Sequence, residues 1–205
     1  MHRPPRRPER ALFLLWLCAV LLAGAGWRPA SAQVHLAEVT QLQAERTDEG
    51  VLLSATVRFD LPQVVDDALT KGIPMYFLAE AAIYRDRWYW TDKRVAFATR
   101  HMRLSYQPLT RRWRLQVSSS PIGSSGLVLG QMFDSRDEAL AAVQRVSGWR
   151  IADAGAVDPD STHTLDFRFR LDVSQLPRPF QIGVVGQAEW IILAVRNQRL
   201  AFDPK

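Results

Sequence analysis

Histidine is the side chain most often used for proton transfer, and beyond position 32 the chain has three, His35, His101 and His163. They lie far apart in sequence, and none shows the i, i+4 spacing by which a helix offers two imidazoles to zinc. Asp158, Asp160 and His163 are of types that hold a cation, but Asp-Pro-Asp-Ser from 158 to 161 is also the composition of a turn. Ser125 fails as a nucleophile elbow because Leu127 stands where glycine is needed, and no Gly-Lys-Ser/Thr follows Gly123 to make a phosphate loop. Ala68, Trp90 and Phe202 precede Lys71, Lys93 and Lys205 by three residues, so a Ser-x-x-Lys pair is absent as well. Two carboxylates suffice for glycoside hydrolysis, and Glu80 and Glu189 sit in apolar runs where burial would raise a carboxyl pKa. The plainer expectation is that each accepts hydrogen bonds from one of the arginines. No catalytic constellation, metal site or cofactor motif emerges, and the expectation is a protein that binds without chemistry.

Two stretches carry the residue types of binding sites. Arg100, His101, Arg103, Arg111, Arg112 and Arg114 surround Pro108 on an expected hairpin. Trp113, Leu115 and Val117 alternate inward there, so Arg112 and Arg114 face outward, and with Arg103 across from them they make a local cationic surface. Guanidinium captures phosphate or carboxylate bidentately, so an anionic lipid, a glycan or an acidic partner would fit. A sheet face or edge guarded by charge against aggregation gives the same pattern. The second stretch is Arg85-Asp86-Arg87-Trp88-Tyr89-Trp90-Thr91-Asp92-Lys93. If it is a strand, Trp88 and Trp90 share one face and Tyr89 takes the other. Trp, Tyr and Arg together make contact hot spots, although aromatics capping a core read the same way.

The net charge of +5 misleads, because the first 32 residues hold five arginines and one glutamate, leaving 21 basic against 20 acidic side chains in the rest. Nothing in that balance points to nucleic acid. The leader has four arginines before Ala11, an apolar run to about Gly26, then Ala30-Ser31-Ala32. It reads as a secretory signal peptide over 1–32, cut after Ala32, with delivery to the periplasm. The alternative is an uncleaved anchor, since the uncharged run falls just short of the roughly 20 residues a spanning helix needs; the membrane would be touched only through that segment. Cys18 would leave with the leader, so the remaining 33–205 domain would rely on a hydrophobic core alone.

These residues need elements to position them, and alternation supplies the strands. Val51, Leu53, Ala55, Val57 and Phe59 alternate with Leu52, Ser54, Thr56 and Arg58, and Leu165, Phe167, Phe169 and Leu171 alternate with Asp166, Arg168 and Arg170. Noisier patterns place strands near 36–46, 74–85, 94–106, 112–118, 149–153 and 189–196. Between Phe97 and Met102 the apolar parity changes, which predicts a bulge near residues 99–101. A helix is expected over 61–71, with Asp60 as cap, Pro62 in the first turn and Gly72 beyond. A second is expected over 136–147, with Ser135 and Glu138 as a capping box and Gly148 in the C-terminal turn. Residues 118–126, rich in Ser and Gly, read as a flexible connection or lid. The sum is a mostly β, antiparallel β-sandwich, with an immunoglobulin-like arrangement among those such strands allow, two short helices and an N-terminal signal helix.

Gly72-Ile73-Pro74-Met75-Tyr76-Phe77, Asp86 to Lys93, Leu104-Ser105-Tyr106-Gln107-Pro108-Leu109-Thr110-Arg111 and Arg170 to Phe180 stand in order along the chain. In these four blocks the sequence resembles the DUF4390 family of exported proteobacterial proteins. That family brings no activity and no site residue to transfer. The resemblance implies a neighbouring gene for a nitrogen-regulation-type sensor histidine kinase, and so a partner in the envelope. Ala194-Val195-Arg196 departs from the pattern, standing where another tryptophan is expected. The resulting expectation is a periplasmic, monomeric or weakly associating interaction module using Trp88, Trp90, Arg103, Arg112 and Arg114, accessory to such a kinase. A binder of an anionic envelope ligand and a carboxylate hydrolase are the alternatives.

Overall fold

From Leu165 to Leu171 every odd side chain is apolar, and in the computed structural model each of these is buried, Leu165, Phe167 and Phe169 at 0% exposure. The even residues, Asp166, Arg168 and Arg170, stand on the opposite face. The structure describes residues 37–87, 89, 91–123, 128–158, 161–178, 180 and 190–200. The leader, and with it the expected signal helix and cleavage site, lies outside them.

Among the described residues the elements run β1 (Glu38–Thr47), β2 (Gly50–Arg58), α1 (Gln63–Thr70), β3 (Met75–Arg85), β4 (Lys93–Gln107), β5 (Arg112–Ser118), β6 (Gly130–Phe133), α2 (Arg136–Gln144), β7 (Arg145–Asp153), β8 (His163–Leu171), a short 3-10 turn at Val173–Gln175, and β9 (Leu193–Leu200). They form a three-stranded sheet, β1-β2-β7, and a six-stranded sheet, β6-β5-β4-β3-β8-β9. Every neighbouring pair is antiparallel. The chain is thus mostly β, in a sandwich-like arrangement of two antiparallel sheets with two helices. The inner faces share one core, where Phe59 after β2 lies 5.7 Å from Phe77 on β3 and 5.4 Å from Phe169 on β8, ring centre to ring centre. α1 adds Val65, Ala68 and Leu69 to that core.

Several expectations need correction. β4 runs unbroken through residues 99–101; the register slips instead opposite Ile83 and Tyr84, between Arg94 and Ala96, so Val95 is the extra residue. As a result Phe97 does not join the core side but pairs with Ala82 on the outer face, 50% exposed. α1 is capped by Pro62 without a side-chain bond, not by Asp60. α2 begins as expected, with the Glu138 amide donating to Ser135 Oγ at 3.2 Å. It ends at Gln144, because Val146 and its neighbours continue directly into β7. Gly148, with φ +57°, therefore sits inside β7 where the pairing with β2 slips, its amide donating to Ser54 Oγ. The 85–93 string joins β3 to β4, and Tyr89 lies in a turn, so strand alternation does not carry through it. Trp88 and Trp90 themselves lie outside the described residues, as do Glu189, Asp160 and positions 124–126 of the expected lid.

Candidate functional site

The β4–β5 register sets the arginines in space. Arg103 pairs with Gln116, Ser105 with Arg114 and Gln107 with Arg112, while Leu104 pairs with Leu115 and Tyr106 with Trp113. Directly paired residues share a face, and Leu104, Leu115 and Trp113 are buried in the core. Arg103, Arg112 and Arg114 therefore all stand on the outer face of the six-stranded sheet. Arg100 has the opposite parity and lies on the inner side with Met102, so the basic hairpin is divided between two faces.

The three guanidiniums differ in what they touch. Arg112 is held by Asp134, with Nε and Nη2 donating to Oδ1 at 2.9 and 2.8 Å. Arg103 is half-buried, its guanidinium carbon 5.8 Å from the centre of the Tyr76 ring, and its Nε has no hydrogen-bond partner. Arg114 lies over the edge strand, with Nη2 donating to the Val128 carbonyl at 3.4 Å. Gly130 makes that path possible: a Cβ there would come within 2.5 Å of Arg114 Nε. Neither Arg103 nor Arg114 has a carboxylate within 4.0 Å among the described residues.

Across β3, β8 and β9 the same face continues in rows. His101, Leu78, Arg170 and Leu193 form one; Thr99, Glu80, Arg168 and Val195 form the next; Phe97, Ala82, Asp166 and Asn197 the third. Arg170 lies between two acids, Nε 3.6 Å from Glu80 and Nη1 3.5 Å from Asp172. Asp172 also accepts from Ser174 Oγ at 2.6 Å, Gln175 Nε2 at 2.9 Å and the Ser174 amide at 3.2 Å. Burial by itself would raise the Asp172 pKa, but these hydrogen bonds, joined by Arg170, hold the carboxyl below its ordinary value. Burial is also the main reason that His101 has a lowered pKa, against opposing pulls from Asp172 and Glu80 and with a further lowering from Arg170. At the far side Arg94 sits 5.0 Å over the ring of Phe97.

Glu80 is tied to Arg170 and Asp172 is saturated by donors, so both anchor that guanidinium, while Asp166, a third acid on this face, has an enclosed Oδ1 without a hydrogen-bond partner. Around them are half-exposed apolar side chains, Phe97 and Val195 at 50% and Leu193 at 46%. The outward alternation of Arg168 and Arg170 was open to sequence reasoning; Phe97 was not, because an apolar side chain suggests the core side, whereas uninterrupted alternation from Ala96 to Leu104 turns it outward. Asp158, from the other acidic stretch, accepts from Ser161 Oγ at 2.8 Å and from its amide at 3.3 Å, the geometry of a turn.

A family model described as a domain of unknown function (DUF4390) matches residues 35–199. No curated protein and no solved structure matches the chain.

Proposed function

Since the chain belongs to the DUF4390 family, and membership brings no activity with it, we propose from its geometry that it is a non-catalytic interaction module of the bacterial envelope, exported to the periplasm, that holds an acidic protein partner on the outer face of the six-stranded sheet. The observation that carries this reading is the mixture on that face: Arg103, Arg114 and Arg168, none with a carboxylate within 4.0 Å among the described residues, interleaved with half-exposed Phe97, Leu193 and Val195. A sheet with one face on the core ordinarily turns polar residues outward, so exposed apolar side chains there weigh toward a covering partner. Arginine and aromatics are enriched where proteins meet. Size agrees too, since six strands of four to fifteen residues, at about 3.3 Å per residue and about 4.8 Å between strands, offer roughly the 800 Å² that a standard interface takes from each side.

The partner that the family resemblance suggests is the extracytoplasmic part of a sensor histidine kinase. The test is its titration against the purified protein and against the Arg103→Glu/Arg114→Glu double variant. Wild type should bind, more weakly as salt rises. The variant should keep its melting temperature within a few degrees and lose roughly thirtyfold or more in affinity, since a central hot spot is worth about 2 kcal/mol or more. A folded variant that binds equally well removes this face from the interaction.

A further inference from the structure

On the inner side of the same sheet, where β4 and β5 extend beyond the smaller sheet toward α2, the core opens into a cleft of about 480 Å³. That is within the range of small-molecule sites. One wall is the sheet, with Arg100 and Met102 from β4 and Leu115 and Val117 from β5; the other is α2 and the start of β7, with Glu138 and Arg145. The hollow has a cause in the sequence: the helix wall is made by Ala141 and Ala142, whose methyl groups leave open the space a larger residue would fill.

Arg100 is the anomaly. It is a guanidinium on the core side of a strand, half-buried, with its Nε enclosed and without a hydrogen-bond partner. Burial lowers its pKa, with no opposing carboxylate. Neither Arg100 nor Arg145 is within 4.0 Å of an acid among the described residues, and two guanidiniums against the single carboxylate of Glu138 leave the cleft with one positive charge. An enclosed donor left unpaired is costly to the fold, and a methionine or leucine would avoid that cost. An anionic ligand in the cleft offsets it by pairing with the guanidinium where Arg100 lines the wall.

We infer that this cleft binds an aliphatic monoanion, with its oxyanion head on Arg100 and its tail along Met102, Leu115 and Val117. The site is separate from the outer face and does not depend on it. A carboxylate or a phosphate monoester would satisfy the same guanidinium, so the head identifies the source: a free fatty acid or a phospholipid fragment.

The test is calorimetric titration of the full-length chain with decanoate, decyl phosphate, decanol and acetate, repeated on Arg100→Met and on Val117→Phe, which fills the tail space. Wild type should bind at least one of the two long-chain anions saturably and bind decanol and acetate roughly tenfold more weakly or worse, the loss of a charge-assisted bond or of the buried tail. The stronger of decanoate and decyl phosphate names the source. Arg100→Met should lose the anion while its melting temperature stays level or rises, because replacing a half-buried guanidinium that has no carboxylate partner among the described residues with an apolar chain of similar length is neutral or stabilising. Val117→Phe should lose it with Arg100 intact. Binding retained by folded Arg100→Met, decanol or acetate equal to the anions, or no saturable binding by wild type overturns the inference.

Discussion

Asp172 and His101 meet the same burial with different resources. Asp172 has three hydrogen-bond donors and Arg170, so its folded pKa lies below the ordinary value. His101 has Nδ1 enclosed and unpartnered, so its lowered pKa reflects a ring kept neutral. For both groups the folded value is depressed, so the stability they contribute is fully present above the unfolded pKa and is lost as pH falls through the folded one. The two losses occur in order: His101 begins to act below about pH 6.5 and Asp172 only below about pH 4. Urea denaturation across pH should therefore show two acid limbs. His101→Gln should flatten the upper limb and leave the lower; Asp172→Asn should flatten the lower and also reduce stability at neutral pH, where Ser174 and Gln175 lose their charged acceptor. Unchanged slopes in both variants would remove these groups from the acid response.

At the scale of elements, a strand's alternation is readable only while the register holds. β2 and β8 pair without a slip at their apolar positions or with slips that conserve them, and Val51 to Val57 and Leu165 to Leu171 were legible directly from their period of two. β4 contains one extra residue, Val95, whose place depends on what β3 offers across from it, and that is a tertiary fact absent from the local sequence. The end of α2 was misread for a related reason: Gly148 has the left-handed backbone expected of a helix terminus, but β2 draws the chain into a strand at Arg145 first. β6 escaped notice because a strand of four residues with two exposed side chains has no pattern to show. Its Gly130 nevertheless has a definite task, to let Arg114 pass. Gly130→Ala should cost about 1 kcal/mol in wild type through overpacking and clearly less in an Arg114→Ala background, where only Gln116 Cγ, 3.1 Å from the added Cβ, stays close, the non-additivity expected of residues in contact. Equal costs in both backgrounds, read from denaturation midpoints, would mean that the glycine answers to something else.

For the whole molecule the division of labour between the two faces of the six-stranded sheet is the central physical fact, because it determines which residues are available to function. The inner face of β8 supplies Phe167 and Phe169 to a core that also holds Phe59 and Phe77, with Phe77 and Phe169 stacked at 5.8 Å. The outer face supplies Arg168 and Arg170, of which only Arg170 is engaged by carboxylates among the described residues. Phe169→Ala should cost roughly 3 to 5 kcal/mol, a large share of the about 5 to 15 kcal/mol that holds a domain together. Arg168→Ala, one residue away, should fall within about 0.5 kcal/mol. Urea midpoints of the two variants decide the matter. If Arg168→Ala destabilises as much as Phe169→Ala, the outer face belongs to the fold and its arginines need no partner to explain them. If the costs separate as expected, the fold does not require arginine and half-exposed apolar side chains on that face, and their presence there is left for recognition to explain.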